Sequence, residues 1–145
     1  MLFAHRKTAK RLQSVCSQLL DATREVDEWR WDDQFGAALL TIESVQERPV
    51  LTRLQQIFPD SWDQLDVSRA PEHVRHVAGV WGGLMAGQHL LVRDAAADPL
   101  IYALWMPWSN RLRTSVRVSC AAFDEAVARH DPRDGLRDCM GLAGE

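Results

Sequence analysis

Lysine, tyrosine, cysteine and long apolar runs are all scarce in this chain, and each shortage removes a class of protein. Lys7 and Lys10 are the only lysines among 17 basic residues, the other fifteen being arginine. With abundant alanine, that bias points to a GC-rich bacterial or phage coding sequence. Basic residues are outnumbered by 20 acidic ones, for a net charge of −3, so no global positive field draws the chain to nucleic acid or anionic lipid. The longest apolar stretch runs from Val77 to Val92 and is interrupted by Gln88 and His89. That is short of the ~20 residues a spanning helix needs, so no membrane partner is expected.

Cys16, Cys120 and Cys139 are an odd set with no close pair, which argues against a secreted disulfide framework. Cys16 and Cys120 are expected as small core residues on helix faces, and Cys139 as a free thiol in a glycine-containing tail. The opening Met-Leu-Phe-Ala-His-Arg-Lys lacks a run of signal-peptide length, so cytoplasmic residence is expected. The chain also lacks Gly-x-Ser-x-Gly, the phosphate-binding Gly-x-x-x-x-Gly-Lys, Cys-x-x-Cys and a dinucleotide glycine fingerprint. No catalytic residue stands out, and non-enzymatic action is expected.

What is present is apolar residue in quantity: 46% of 145 residues, with six tryptophans. That suffices for one folded domain of ordinary size. Leu12, Val15, Leu19, Ala22, Val26 and Trp29 follow the alternating three-and-four spacing of a heptad seam. The spacing predicts a long N-terminal helix over about 6–31 and a surface for homodimerisation. Asp32 and Asp33 suit the cap of a second helix with Phe35, Leu39, Ile42 and Val45 on its face, stopped by Pro49. A third, shorter helix uses Leu51, Leu54, Ile57 and Phe58, and Ser61-x-x-Gln64 has capping-box spacing for another.

Pro71 opens the expected central helix, about 71–93, with Val74, Val77, Trp81, Leu84, Met85 and Val92 along one stripe. Gly79, Gly83 and Gly87 lie opposite. With Gly82, they cost roughly 1 kcal/mol each against alanine inside a helix. Close packing by a neighbouring helix, a flat ligand, or a break in the helix would each account for them. Asp98-Pro99 suits the start of a short helix over Leu100 to Met106. Ser109 suits the start of a last long one carrying Leu112, Val116, Cys120, Phe123 and Val127, ended by Asp131-Pro132. The periodicity thus predicts an all-α fold, a single-domain bundle of about five to seven helices over 1–131 around a buried glycine-rich centre. A weakly ordered tail over 132–145 would follow.

Several clusters bear on function. Trp105, Trp108, Arg111, Arg113 and Arg117 interleave aromatics with cations, the composition of a protein-partner hot spot or a base-stacking surface. The net charge of −3 favours the protein partner over nucleic acid. Asp60 and Asp63 form an acidic cluster and join the predicted partner surface. His73 and His76 lie three apart, but a metal needs a third ligand from elsewhere, so none is expected.

Trp81-Gly82-Gly83-Leu84-Met85-Ala86-Gly87-Gln88 resembles the glycine-containing distal helix of haem oxygenases, which brings backbone close to porphyrin. The resemblance covers about eight residues and implies, as an alternative, a haem-like or other flat ligand against Gly79, Gly83 and Gly87 with His76 nearby. That family's early proximal histidine has only His5 to answer it here, in a chain shorter than the family's fold, so its activity is not carried over. The expectation is a small protein-interaction module, a regulator, inhibitor or immunity-type protein, with no cofactor.

Overall fold

The computed structural model describes residues 2–142, with side chains from residue 5 onward. Its centre is a six-stranded antiparallel sheet, and the chain is 41% helical and 25% strand. The all-α bundle expected from periodicity is therefore wrong. The elements are α1 (Leu2–Ala22), β1 (Arg30–Asp32), β2 (Ala37–Glu43), α2 (Glu47–Ile57), β3 (Asp60–Trp62), α3 (Glu72–Val80), β4 (His89–Val92), β5 (Leu100–Pro107), β6 (Arg113–Ala121), α4 (Glu125–Ala128) and α5 (Pro132–Cys139). Strand order is β1-β2-β6-β5-β4-β3, so β6 and β5 are central and the three-residue strands β1 and β3 form the edges.

The error has a physical cause. Both faces of the central strands are covered, and a strand buried on both sides reads as an unbroken apolar run rather than an alternation. Along β5, Ile101, Ala103 and Trp105 meet α1 and α2, while Leu100, Tyr102 and Leu104 meet α3; all are at most 5% exposed. Along β6, Val116, Val118 and Cys120 join the first group. The helix expected over Leu100 to Met106 is β5, and the one expected from Ser109 to Val127 is β6 over Arg113–Ala121, with only its end helical, as α4. Pro107 and the turn before Arg113 link them.

α1 lays Leu12, Val15 and Leu19 into that first core, each 3% exposed or less. Each such burial contributes roughly 1.5–3 kcal/mol. The heptad stripe is thus covered by the chain's own sheet. The helix stops at Ala22, not near Trp31. Thr23 Oγ1 donates to Leu19 O at 2.7 Å and accepts from Trp29 Nε1 at 2.9 Å, which turns the chain toward β1. α2 buries Val50, Leu54 and Ile57 nearly as expected. The predicted second helix is instead β2, with Ala38, Leu40 and Ile42 inward at alternate positions. The helix expected after Ser61 is replaced by β3 and a single 3-10 turn over Val67–Arg69.

The central helix ends at Val80 rather than Arg93. Gly82, Gly83 and Gly87 take φ of 81°, 87° and 84°, backbone that side-chain-bearing residues rarely adopt, so a loop leads from α3 into β4. Of the three explanations for the glycines, the break applies. At the other end, Asp131-Pro132 starts a helix instead of ending one. Asp131 Oδ1 accepts from Arg133 N at 3.0 Å and Pro132 occupies the first turn of α5. Most of the supposed loose tail is therefore a helix that buries Leu136; residues 143–145, including Gly144, lie outside the described residues. A disulfide joins Cys16 of α1 to Cys139 of α5, so Cys139 is not a free thiol. Cys120 is the unpaired cysteine, buried on a strand rather than a helix.

Candidate functional site

α3 covers only part of its side of the sheet, over Leu90, Val92, Leu100, Tyr102 and Leu104. On the same face, register carries the row from Leu104 to Arg117 to Leu39, and the next from Met106 to Ser115 to Thr41. α1, α2 and α5 pack on the opposite side of the sheet, and in these rows Leu39, Thr41, Met106 and Arg117 stay partly exposed while Ser115 is buried beneath Trp108.

One border of this face is the β1–β2 turn. Asp32 Oδ1 accepts from Gln34 N and Phe35 N at 3.1 and 3.3 Å, and Gly36 N donates to Asp32 O at 2.8 Å with φ of 62°. The turn is then clipped to β6 at both ends. Asp32 Oδ2 accepts from Arg117 Nε at 3.0 Å, and Gly36 O accepts from Ser119 Oγ at 2.7 Å. Between the clips, Phe35 lies under the Arg117 guanidinium (5.3 Å) and stacks on Trp81 at 5.0 Å and 24°. Trp81 Nε1 donates to Tyr102 Oη at 2.9 Å, and Ser119 lies beside Tyr102 along the cleft. The polar groups here satisfy one another, so the arrangement holds its side chains in fixed positions.

The other border is the β5–β6 hairpin. Trp108 Nε1 donates to Ser115 Oγ at 2.9 Å, and the Arg113 guanidinium lies 5.8 Å from its ring. Trp108 is 40% and Phe35 44% exposed, so both present ring surface to solvent while anchored. Beside Phe35 and Trp81 opens a cleft of about 510 Å³, floored by Tyr102 and Ser119 and bounded by Asp131 and Arg133.

Titration follows from these surroundings. Burial pushes the Tyr102 hydroxyl above the ordinary phenol range, against the smaller opposing effect of its hydrogen bonds. Hydrogen bonds from Arg133 hold the Asp131 carboxyl below the usual range. Burial drives the Cys120 thiol far upward, which leaves it protonated and inert as a nucleophile. Among the described residues no group of three His, Cys, Asp or Glu side chains is placed to hold a metal ion, and no helix is long and apolar enough to cross a membrane.

The residues singled out in sequence separate. Trp108, Arg113 and Arg117 do share the open face. Trp105, at 4% exposed, points to the opposite side into the core, and Arg111 sits at the hairpin tip with φ of 60°. Asp60 lies on the far edge strand β3 and Asp63 just after it, where Asp63 Oδ1 accepts from Leu65 N at 2.9 Å, so these two stand apart from the arginines. His76 is exposed on α3, edge-on to Phe123 at 5.3 Å. Gly79 is helical, whereas Gly83 and Gly87 are in the loop. Because α3 ends at Val80 and Gly83 and Gly87 follow with positive φ, the three glycines do not lie along one helix face.

Asp32, Phe35, Trp81, Tyr102 and Ser119 were not anticipated. Asp32 to Gly36 carried the signal, since an Asx turn ending in glycine marks a hairpin as well as a helix start. The chain matches no protein-family model, and neither the curated proteins nor the solved structures contain a match.

Proposed function

We propose that this chain is a small protein-interaction module, of the regulator, inhibitor or immunity type, that docks a protein partner on the uncovered half of its sheet. One observation carries the reading. Phe35, Trp108, Arg113 and Arg117 flank an unroofed sheet face, and each ring is fixed by stacking or a hydrogen bond while remaining partly open. Aromatic and arginine anchors dominate binding energy at protein interfaces, and anchors held in place before contact lose less entropy on binding. The reading is non-catalytic.

Affinity purification with the wild-type chain supplies the partner, and calorimetry on the purified pair tests the face. Trp108→Ala and Arg113→Ala are each expected to weaken binding by about 2 kcal/mol or more, roughly 30-fold. Lys10→Ala, on the opposite side, serves as the control. Complexes that tolerate both changes at wild-type affinity would rule the face out.

A further inference from the structure

The edge of the sheet carries a second feature, apart from that aromatic platform. β2 pairs with β6 from Ala38 to Glu43, but β1 covers only Ala37 to Leu39 on the other side. Four residues, 40–43, therefore border β1's side with no strand against them, a length of ~13 Å at about 3.3 Å per residue. Main-chain groups alternate sides along a strand. Ser44 N donates to Leu112 O, toward the β5–β6 hairpin, so the main-chain groups of Glu43 and Thr41 face away from β6. Glu43 N is met by Gln46 Oε1 at 3.0 Å. The Thr41 N–H and C=O have no partner among the described residues.

Upstream of β1 the chain does not continue alongside β2. Val26 packs against the core, and residues 25–27 stand off, leaving a groove of about 380 Å³. Glu25 and Asp27 form one wall, Thr41 and Glu43 the other, and Arg113 closes one end. Three exposed carboxylates face one guanidinium, so the groove is net acidic.

We infer that this groove takes an extended cationic segment of a partner protein as an added strand beside β2. The Thr41 N–H and C=O supply the main-chain pairing, and Glu25, Asp27 and Glu43 receive lysine or arginine side chains at alternate positions. An unpaired strand edge is a template for such pairing, and the carboxylates select the charge of what pairs. The inference goes beyond the platform reading and shares Arg113 and Thr41 with it, but none of the anchors Phe35, Trp108 and Arg117 lines the groove, so either can fail alone.

Fluorescence anisotropy tests it on the full chain, with a labelled octapeptide alternating valine and lysine. Saturable binding is expected, weakening as salt rises, and at least tenfold stronger than for the matched valine–glutamate peptide. Two further peptides, N-methylated at every valine or at every lysine, block one strand edge each. One is expected to lose binding and the other to keep it, because only one edge faces β2. Thr41→Pro removes the N–H that faces the groove while sparing the pairing to β6, and is expected to weaken binding at least tenfold. Should that variant fold poorly, Glu25→Gln with Asp27→Asn, both in an exposed loop, carries the same expectation. Absence of saturable binding, equal binding of the acidic peptide, or equal binding of both methylated forms would overturn the proposal; the last would mean attraction by charge alone.

Discussion

Replacing Cys139 with alanine removes the one covalent tie between the two ends of the chain. Cys16 and Cys139 are 123 positions apart, with Cα atoms 6.0 Å from each other, well within disulfide reach. Closing a loop of that length restricts the unfolded chain by about 16 cal/mol/K, or about 5 kcal/mol at room temperature, with 2–5 kcal/mol the usual span for native disulfides. Unfolding entropy near 2.1 cal/mol/K per residue gives ~0.3 kcal/mol/K for a chain of this size, so the loss corresponds to a melting point lower by ~7–16 °C. The folded contacts of α5, chiefly Leu136 and Met140 in the core and Arg137 over the Trp31 ring, stay in place in the variant. Circular dichroism melts of wild type and Cys139→Ala, each with and without a phosphine reductant, read the effect. Oxidised wild type should melt highest. Reduced wild type should fall near the variant, and the variant should ignore the reductant. Thiol titration of denatured wild type should find only Cys120. Three titratable thiols, or melts that coincide in all four samples, would refute the pairing.

Two further predictions follow from the site. Tyr102 is the only tyrosine, so phenolate absorbance reports it alone, and its midpoint in the folded protein should lie above the ordinary value of about 10. Because the folded value is raised, its contribution to stability is complete below pH 10 and is lost as pH climbs through the folded midpoint; titration at 10 without unfolding would contradict the burial. Gly36→Ala places a methyl group 2.8 Å from Arg133 Nη1 at φ of 62°, whereas Gly83→Ala at φ of 87° meets nothing within 4 Å. Backbone strain should cost each substitution about 1–2 kcal/mol, with little added at Gly36 because the end of the half-exposed Arg133 side chain can swing aside, read as midpoint shifts in urea. No shift at either position would contradict the left-handed backbone there.

Parts of this architecture are legible from residue spacing, and α1 and α2 are the clearest. Their stripes, Leu12–Val15–Leu19 and Leu54–Ile57, are periodic because each helix has one buried face and one wet one. β5 is illegible for the opposite reason, since covered on both faces it has no alternation to display. Its length could have decided the matter: an apolar run of seven or eight residues between Pro99 and Pro107 is strand-sized and short for a helix. Asp32 and Asp131 show the same ambiguity at a single residue. An aspartate that accepts from backbone N–H groups two or three positions on can open a hairpin turn or a helix, and here one does each. Of the candidate site, Trp108, Arg113 and Arg117 were visible as a cluster. That Trp105 belongs to the core followed only from strand alternation.

By itself the sequence determined the buried stripes Leu12–Val15–Leu19 of α1 and Leu54–Ile57 of α2, that no segment suits a membrane span, and that the glycines near Gly83 needed an explanation. The tertiary structure alone decided what that explanation is, which half of the sheet stays uncovered, and which side chains meet there. The reason is the distance over which the deciding contacts act. Arg117 reaches Asp32 across 85 positions and Cys16 reaches Cys139 across 123. Helical spacing is a local property of a few turns, whereas strand pairing and cross-linking depend on which distant segments the fold brings side by side.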